Sequence, residues 1–181
     1  MPTFFSKKSV VRASDIVLHE FANGSYTELA KICACSRQHT HFVMTRGGMD
    51  TLSAYALILH NLNIAISDFI NLVQSIDSGT YGFDDLQRIV NAKKYVNVTK
   101  QDIRDAMFKI IDVKSARFFV ERTKFAEKFN LNPDHIGRML SNPTIKTAYM
   151  FCQFYELDLT KLIMSAEEIS TFRHNEVTNV K

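Results

Sequence analysis

The chain is expected to fold as an all-α protein, or nearly so, and three observations point there. Its 181 residues hold only 6 Gly and 3 Pro. Hard chain breaks are therefore few, which favours helices over a strand-and-turn design. Apolar residues recur at helical spacing behind Ser, Thr or Asn, the letters that cap helix N-termini. Finally, one such stretch occurs twice. Leu29 to Met44 matches Phe125 to Leu140 at an offset of 96 residues, and the match resumes after a loop, Asp50 against Pro143, at an offset of 93. Leu29 pairs with Phe125, Cys33 with Phe129, Cys35 with Leu131, Ile58 with Phe151 and Phe69-Ile70 with Leu162-Ile163. Two copies of one helical unit, the second with a shorter loop, is the simplest reading.

The elements follow in order. Ala13 to Ala22 places Ile16, Val17 and Phe21 on one stripe, and Asn23-Gly24 stops it. Ser25 opens the next helix, to Cys33, with Glu28 placed for a capping box. Ala34-Cys35 leaves room only for a tight turn, and Ser36 caps a helix to about Met44. Arg46-Gly47-Gly48 breaks the chain before helices at about Asp50 to Leu62 and Ile66 to Ser75. In the second copy the helices are Thr123 to Phe129, one capped by Asn132 with Pro133 at its first position, Thr144 to Tyr155 and Leu159 to Met164. Phe129 and Leu131 are expected to be buried between the first two. The domains are thus 10–75 and 113–165, with a connector at 76–112 and a polar tail at 166–181, frayed from Thr171 to Lys181. The connector holds a helix from Asp84 to Asn91 and another opened by Thr99 and Asp102, carrying Ile103, Met107, Ile110 and Ile111. Residues 94–98, KYVNV, read as a minor β element, and 115–121 are compatible with strand or helix.

Composition bounds the function. With 46% hydrophobic and 23% charged residues the chain is neither disordered nor collagen-like. Its longest apolar run is the six residues from Ala54 to Leu59, far short of the roughly 20 that cross a bilayer. No membrane association is expected. Three cysteines, an odd number, argue against a disulfide framework and for a reducing cytoplasm. The net charge of +3 is mild, but it is concentrated: residues 1–12 and 113–163 each carry +3. There is no phosphate-cradling Gly loop, no His-Glu-x-x-His and no Gly-x-Ser-x-Gly. No catalytic residue, metal or cofactor is assigned. Cys33-x-Cys35 with His39-x-His41 has metal-ligand density, but the second copy holds Phe129 and Leu131 where the cysteines stand. Ordinary core thiols are the better reading. Asp84-Asp85 reads as an acidic helix start rather than a catalytic pair.

Two short helices across a tight turn make a helix-turn-helix. "LAKICACSRQHTHFV" followed by "GGMDTLSAYALILHNLNIAISDFI" resembles the lambda-repressor-like family of the Cro and XRE type, and so does "FAEKFNLNPDHIGRMLSNPTIKTAYMFCQFYELDLTKLI". Each resemblance spans about 45 residues. Thr40 departs from it, standing where an aliphatic residue is usual, and Ala34 and Asn130 stand where the turn usually has Gly. The resemblance implies sequence-specific binding of double-stranded DNA by a bacterial, phage or plasmid transcription regulator, with the second helix of each unit in the major groove. By motif position the contacting residues are Ser36, Arg37, Gln38, His39 and His41 in copy one, with Thr27 near a phosphate. In copy two they are Asn132, His135 and Arg138, with Arg122 and Lys124 beside them. Arg can fork onto guanine and Gln onto adenine. A protein-interaction module reusing the fold without base readout is the alternative. Two arrangements remain open: an internal pseudo-dimer with one reader per half-site, or a homodimer, which Pro133 and Asp134 favour by making copy two a poor base reader.

Overall fold

The computed structural model describes residues 6–91, 97–114 and 118–179. Among them there are eleven helices and no strand, so the protein is all-α. They are α1 (Lys7–Ala22), α2 (Tyr26–Ile32), α3 (Arg37–Thr45), α4 (Leu52–Asn61), α5 (Ile66–Ser78), α6 (Phe83–Val90), α7 (Lys100–Lys114), α8 (Phe118–Phe129), α9 (Pro133–Ser141), α10 (Ile145–Tyr155) and α11 (Leu159–Asn179). No single helix among them is long and apolar enough to cross a membrane. Of the expected β element, residues 94–96 lie outside the described residues, and 97 and 98 are not in strand.

The sequence match covers four helices, but the structure pairs five. In each copy a leading helix packs along the last one, α1 on α5 and α7 on α11. At the 93-residue offset the inward faces of α1 and α7 correspond: Ser9 with Asp102, Val10 with Ile103, Ala13 with Ala106 and Ser14 with Met107, all buried. Their N-caps correspond too. The Ser6 hydroxyl accepts from the Ser9 N–H at 3.0 Å, and the Thr99 hydroxyl accepts from the Asp102 N–H at 3.3 Å. The apolar residues of both copies form one continuous core, with Tyr55, Phe69 and Phe151 its largest fully buried side chains.

Three expectations need correction. First, α1 begins at Lys7, six residues before Ala13. Two lysines at a helix N-terminus oppose its dipole, but Asp77 at the end of α5 accepts from the Ser6 N–H and the Ser9 hydroxyl there. Burial works against the Asp77 charge, yet those hydrogen bonds outweigh it and hold its carboxyl below the usual range. Second, the stretch from Thr171 to Asn179 is helical rather than frayed. α11 runs to Asn179 because Ala166 and Ser170 are buried and Arg173 pairs with Asp102 and Asp105 of α7. Third, Phe129 and Leu131 are only half-buried, and Phe125 and Ile136 fill the centre of copy two.

The copies meet along a seam with approximate two-fold character. Thr51 and Thr144, equivalent N-caps of α4 and α10, form an antiparallel bridge, with the Leu52 N–H donating to the Pro143 carbonyl at 2.8 Å. Farther along, α5 packs on α11. There the Ser67 N–H and hydroxyl donate to Glu167, and the Thr160 hydroxyl donates to Gln74 and Asn71. Positions 67 and 160 are equivalent, as are 74 and 167. Each copy therefore presents the same pair to the other, as an isologous interface does. Glu167 also caps α5, whose N-cap Ala65 has no side-chain acceptor.

Burial, with Asp68 nearby, pushes the Glu167 carboxyl above its usual range despite the bonds from Ser67. An acid whose folded value is raised holds a proton that the unfolded chain has lost. Its contribution to stability therefore falls as pH rises from the ordinary glutamate range through the raised value. Glu167→Gln, which copies the Gln74 arrangement, should remove that fall. Urea unfolding of both proteins across acid to neutral pH checks it: the variant gains on the wild type with pH, and parallel curves would show that the seam does not perturb Glu167.

Candidate nucleic-acid interface

In both copies the tight turn has the same backbone. Ala34 lies at φ 51° and its equivalent Asn130 at φ 52°, in the left-handed region. The next N–H in each turns back to the preceding helix, Cys35 to the Ala30 carbonyl at 3.0 Å and Leu131 to Ala126 at 2.8 Å. Left-handed backbone ends a helix and re-aims the chain within a few residues. Side-chain caps then start α3 and α9. The Ser36 hydroxyl accepts from the His39 N–H at 3.1 Å, and the Asn132 side chain accepts from the Asp134 N–H at 2.9 Å. Ser25 likewise caps α2 through the Glu28 N–H at 3.3 Å. The return bond of the expected capping box is not made: Glu28 turns to Lys31, at 2.7 Å.

Thr40 is fully buried under α3, and its hydroxyl donates to the Ser36 carbonyl at 3.1 Å. A polar atom in an aliphatic position is thus satisfied within its own helix. The cysteines are inward as well. Cys33 is buried with its thiol directed to the Ile58 carbonyl, and Cys35 is half-buried. Burial pushes the Cys33 thiol up to about 11, with Cys35 adding to the rise. Among the described residues no three His, Cys, Asp or Glu side chains gather as a metal cage.

What α3 turns outward is polar and aromatic. Ser36, Arg37, Gln38, His39 and His41 are all exposed. The Arg37 and Gln38 side chains have no hydrogen-bond or ion-pair partner among the described residues. His41 lies edge-on to Tyr26, with ring centroids 4.9 Å apart. That contact sets the start of α2, with exposed Thr27, beside the middle of α3. In copy two Asn132, His135, Arg138 and Lys124 are exposed, as is Asp134 in the first turn of α9. Arg122 differs: it is half-buried and has an interaction within the chain.

Two residues on this face were not singled out from the sequence. Phe42 is 47% exposed beside His41, and Tyr26 is half-buried against His41. Their equivalents in copy two are Arg138 and Arg122. The two faces are therefore built alike and furnished differently, aromatic in copy one and cationic in copy two. Phe42 stands off the inward stripe of Thr40, Val43 and Met44, and that offset is the signal that would have found it. Comparison with protein-family models, with curated proteins and with solved structures finds no match.

Ala34 offers a test of the turn. An L-residue in left-handed backbone costs about 1–2 kcal/mol, and glycine's extra unfolded-state freedom takes back about 0.5–1 kcal/mol. Ala34→Gly should therefore stabilise the protein by up to about 1.5 kcal/mol, measured by urea unfolding. Asn130→Gly should gain less, since Asn tolerates this region. Destabilisation by Ala34→Gly would contradict the turn geometry.

Proposed function

We propose that this chain binds double-stranded DNA in a sequence-specific manner as a transcription regulator of the lambda-repressor-like kind, acting in the cytoplasm of a bacterium or on behalf of a phage or plasmid. One observation carries the reading. Twice in the chain a left-handed turn residue joins two short helices, and the second helix is capped and turned outward with a polar face. In copy one Arg37 suits guanine O6 and N7, Gln38 suits adenine N6 and N7, and Phe42 suits a thymine methyl. In copy two Arg138 and Lys124 suit phosphates, and His135 a base edge. Asp134 accepts only from cytosine and repels phosphate.

The seam favours an internal pseudo-dimer. Equivalent contacts form across it within one chain, Ser67 with Glu167 and Thr160 with Gln74, and Thr51 meets its own equivalent Thr144, as across the two-fold axis of a dimeric repressor. One chain then supplies both readers, and two unlike half-sites lie about 34–36 Å apart, one turn of DNA. A homodimer would instead leave copy two to hold phosphate or mediate pairing.

Selection of bound fragments from a random DNA pool, followed by salt-dependent gel shifts on the winner, tests the function. Arg37→Glu should weaken the selected site by more than about 1–3 kcal/mol and leave the helical circular dichroism unchanged. Undiminished affinity would remove α3 from the reading surface. Failure to enrich any sequence would favour a protein-interaction module on the same fold.

A further inference from the structure

We propose that a cleft beside the seam binds a small amphipathic anion: an apolar body of roughly eight carbons, at the small end of what such pockets take, bearing one carboxylate. The cleft has a volume of about 320 Å³ and lies between the Gly47–Met49 loop and the first turns of α1 and α10. Its floor is apolar, from the buried side chains of Val10 and Ile145. Lys7 and Lys146 stand exposed at its edges, one from each copy, with Tyr149 beside them; Lys146 and Tyr149 each also have an interaction within the chain. An apolar floor under two ammonium groups matches a ligand with a greasy body and one anionic end.

The walls are held by contacts within the chain. Gly47 and Gly48 lie at φ 62° and 82°. A Cβ on Gly47 would meet Lys7 Cγ, and would lie 2.9 Å from the Lys7 carbonyl. The loop therefore needs glycine to press against α1. The Gly48 N–H donates at 3.2 Å to the hydroxyl of Tyr55, which is fully buried in the core. Burial pushes that hydroxyl up to about 12, so it stays protonated. The longer loop of copy one breaks the two-fold symmetry here. On the other side of the seam Ser53 and Ala56 replace Lys146 and Tyr149, and Ser53 donates to Asn142 across the gap at 3.3 Å.

The proposal stands apart from the DNA reading, and its test uses no DNA. Octanoate, below its micelle concentration, is titrated into the full chain carrying ¹³C-methyl methionine. The Met49 signal should shift saturably, with one octanoate bound per chain and a rise in Tm. Octanol and octylammonium should bind at least about tenfold more weakly, and Lys7→Gln/Lys146→Gln should weaken octanoate by about tenfold, as two charge contacts of about 0.7 kcal/mol each require. The proposal is overturned if octanoate does not saturate at millimolar concentration, if octanol or octylammonium binds as tightly, or if a folded double variant binds octanoate unchanged. The comparison of the three ligands on the wild type decides the matter should that variant fail to fold.

Discussion

The packing of α5 on α11 is the contact on which the rest of the molecule depends. It carries Ser67 against Glu167 and Thr160 against Gln74 at equivalent positions, together with buried Phe69, Ile70, Leu162 and Ile163 in the common core. An isologous contact between non-identical copies fixes both partners at once. Each closing helix also buries the leading helix of its own copy, α1 on α5 and α7 on α11. Those leading helices in turn support the outward-facing helices, since α1 packs on α3 and α7 on α9. The orientation of each outward face thus leads back to one seam.

Joining two copies in one chain frees their faces to diverge. Two separate chains of a homodimer must present the same letters to both half-sites, whereas here only the seam and the cores are held to a common pattern. The structure shows that division. N-caps, left-handed turn residues and buried positions correspond: Ser36 with Asn132, Ala34 with Asn130, Asn63 with Glu156. The outward residues do not: Arg37 faces as Pro133, Gln38 as Asp134 and Phe42 as Arg138. Physical constraint is greatest where backbone groups are buried or bent and least at exposed side chains.

Much of this was legible in the residues. Ser36, Asn132, Thr51 and Thr144 all cap helices, because their short polar side chains satisfy the first-turn N–H groups directly. The repeat was visible wherever apolar positions recur at a steady offset. It was lost at the leading helix because copy two gains three residues before Phe118's helix aligns with α2, and because the inward faces of α1 and α7 carry Ser9 and Asp102 rather than apolar letters. Asp102 takes one carboxylate oxygen's partners locally, from Thr99, but the other is met by Arg173, 71 residues away in sequence. Glu167 and Arg173 made the end of α11 look like a solvated tail for the same reason. Their partners, on α5 and α7, belong to distant parts of the chain, so local periodicity could not show that the helix was held. On the outward face, exposed letters such as Arg37 were placed by the motif, whereas Phe42, an apolar letter beside the inward stripe, carried no such mark.

The central claim is that one chain contains both halves of a DNA-reading pseudo-dimer. The mass of the complex formed with a short duplex carrying the selected site, measured by light scattering on size-exclusion chromatography, tests it most directly. The account predicts one 20.7 kDa chain per duplex and, in the accompanying footprint, two unlike half-sites one helical turn apart. Two chains on a symmetric site would contradict it.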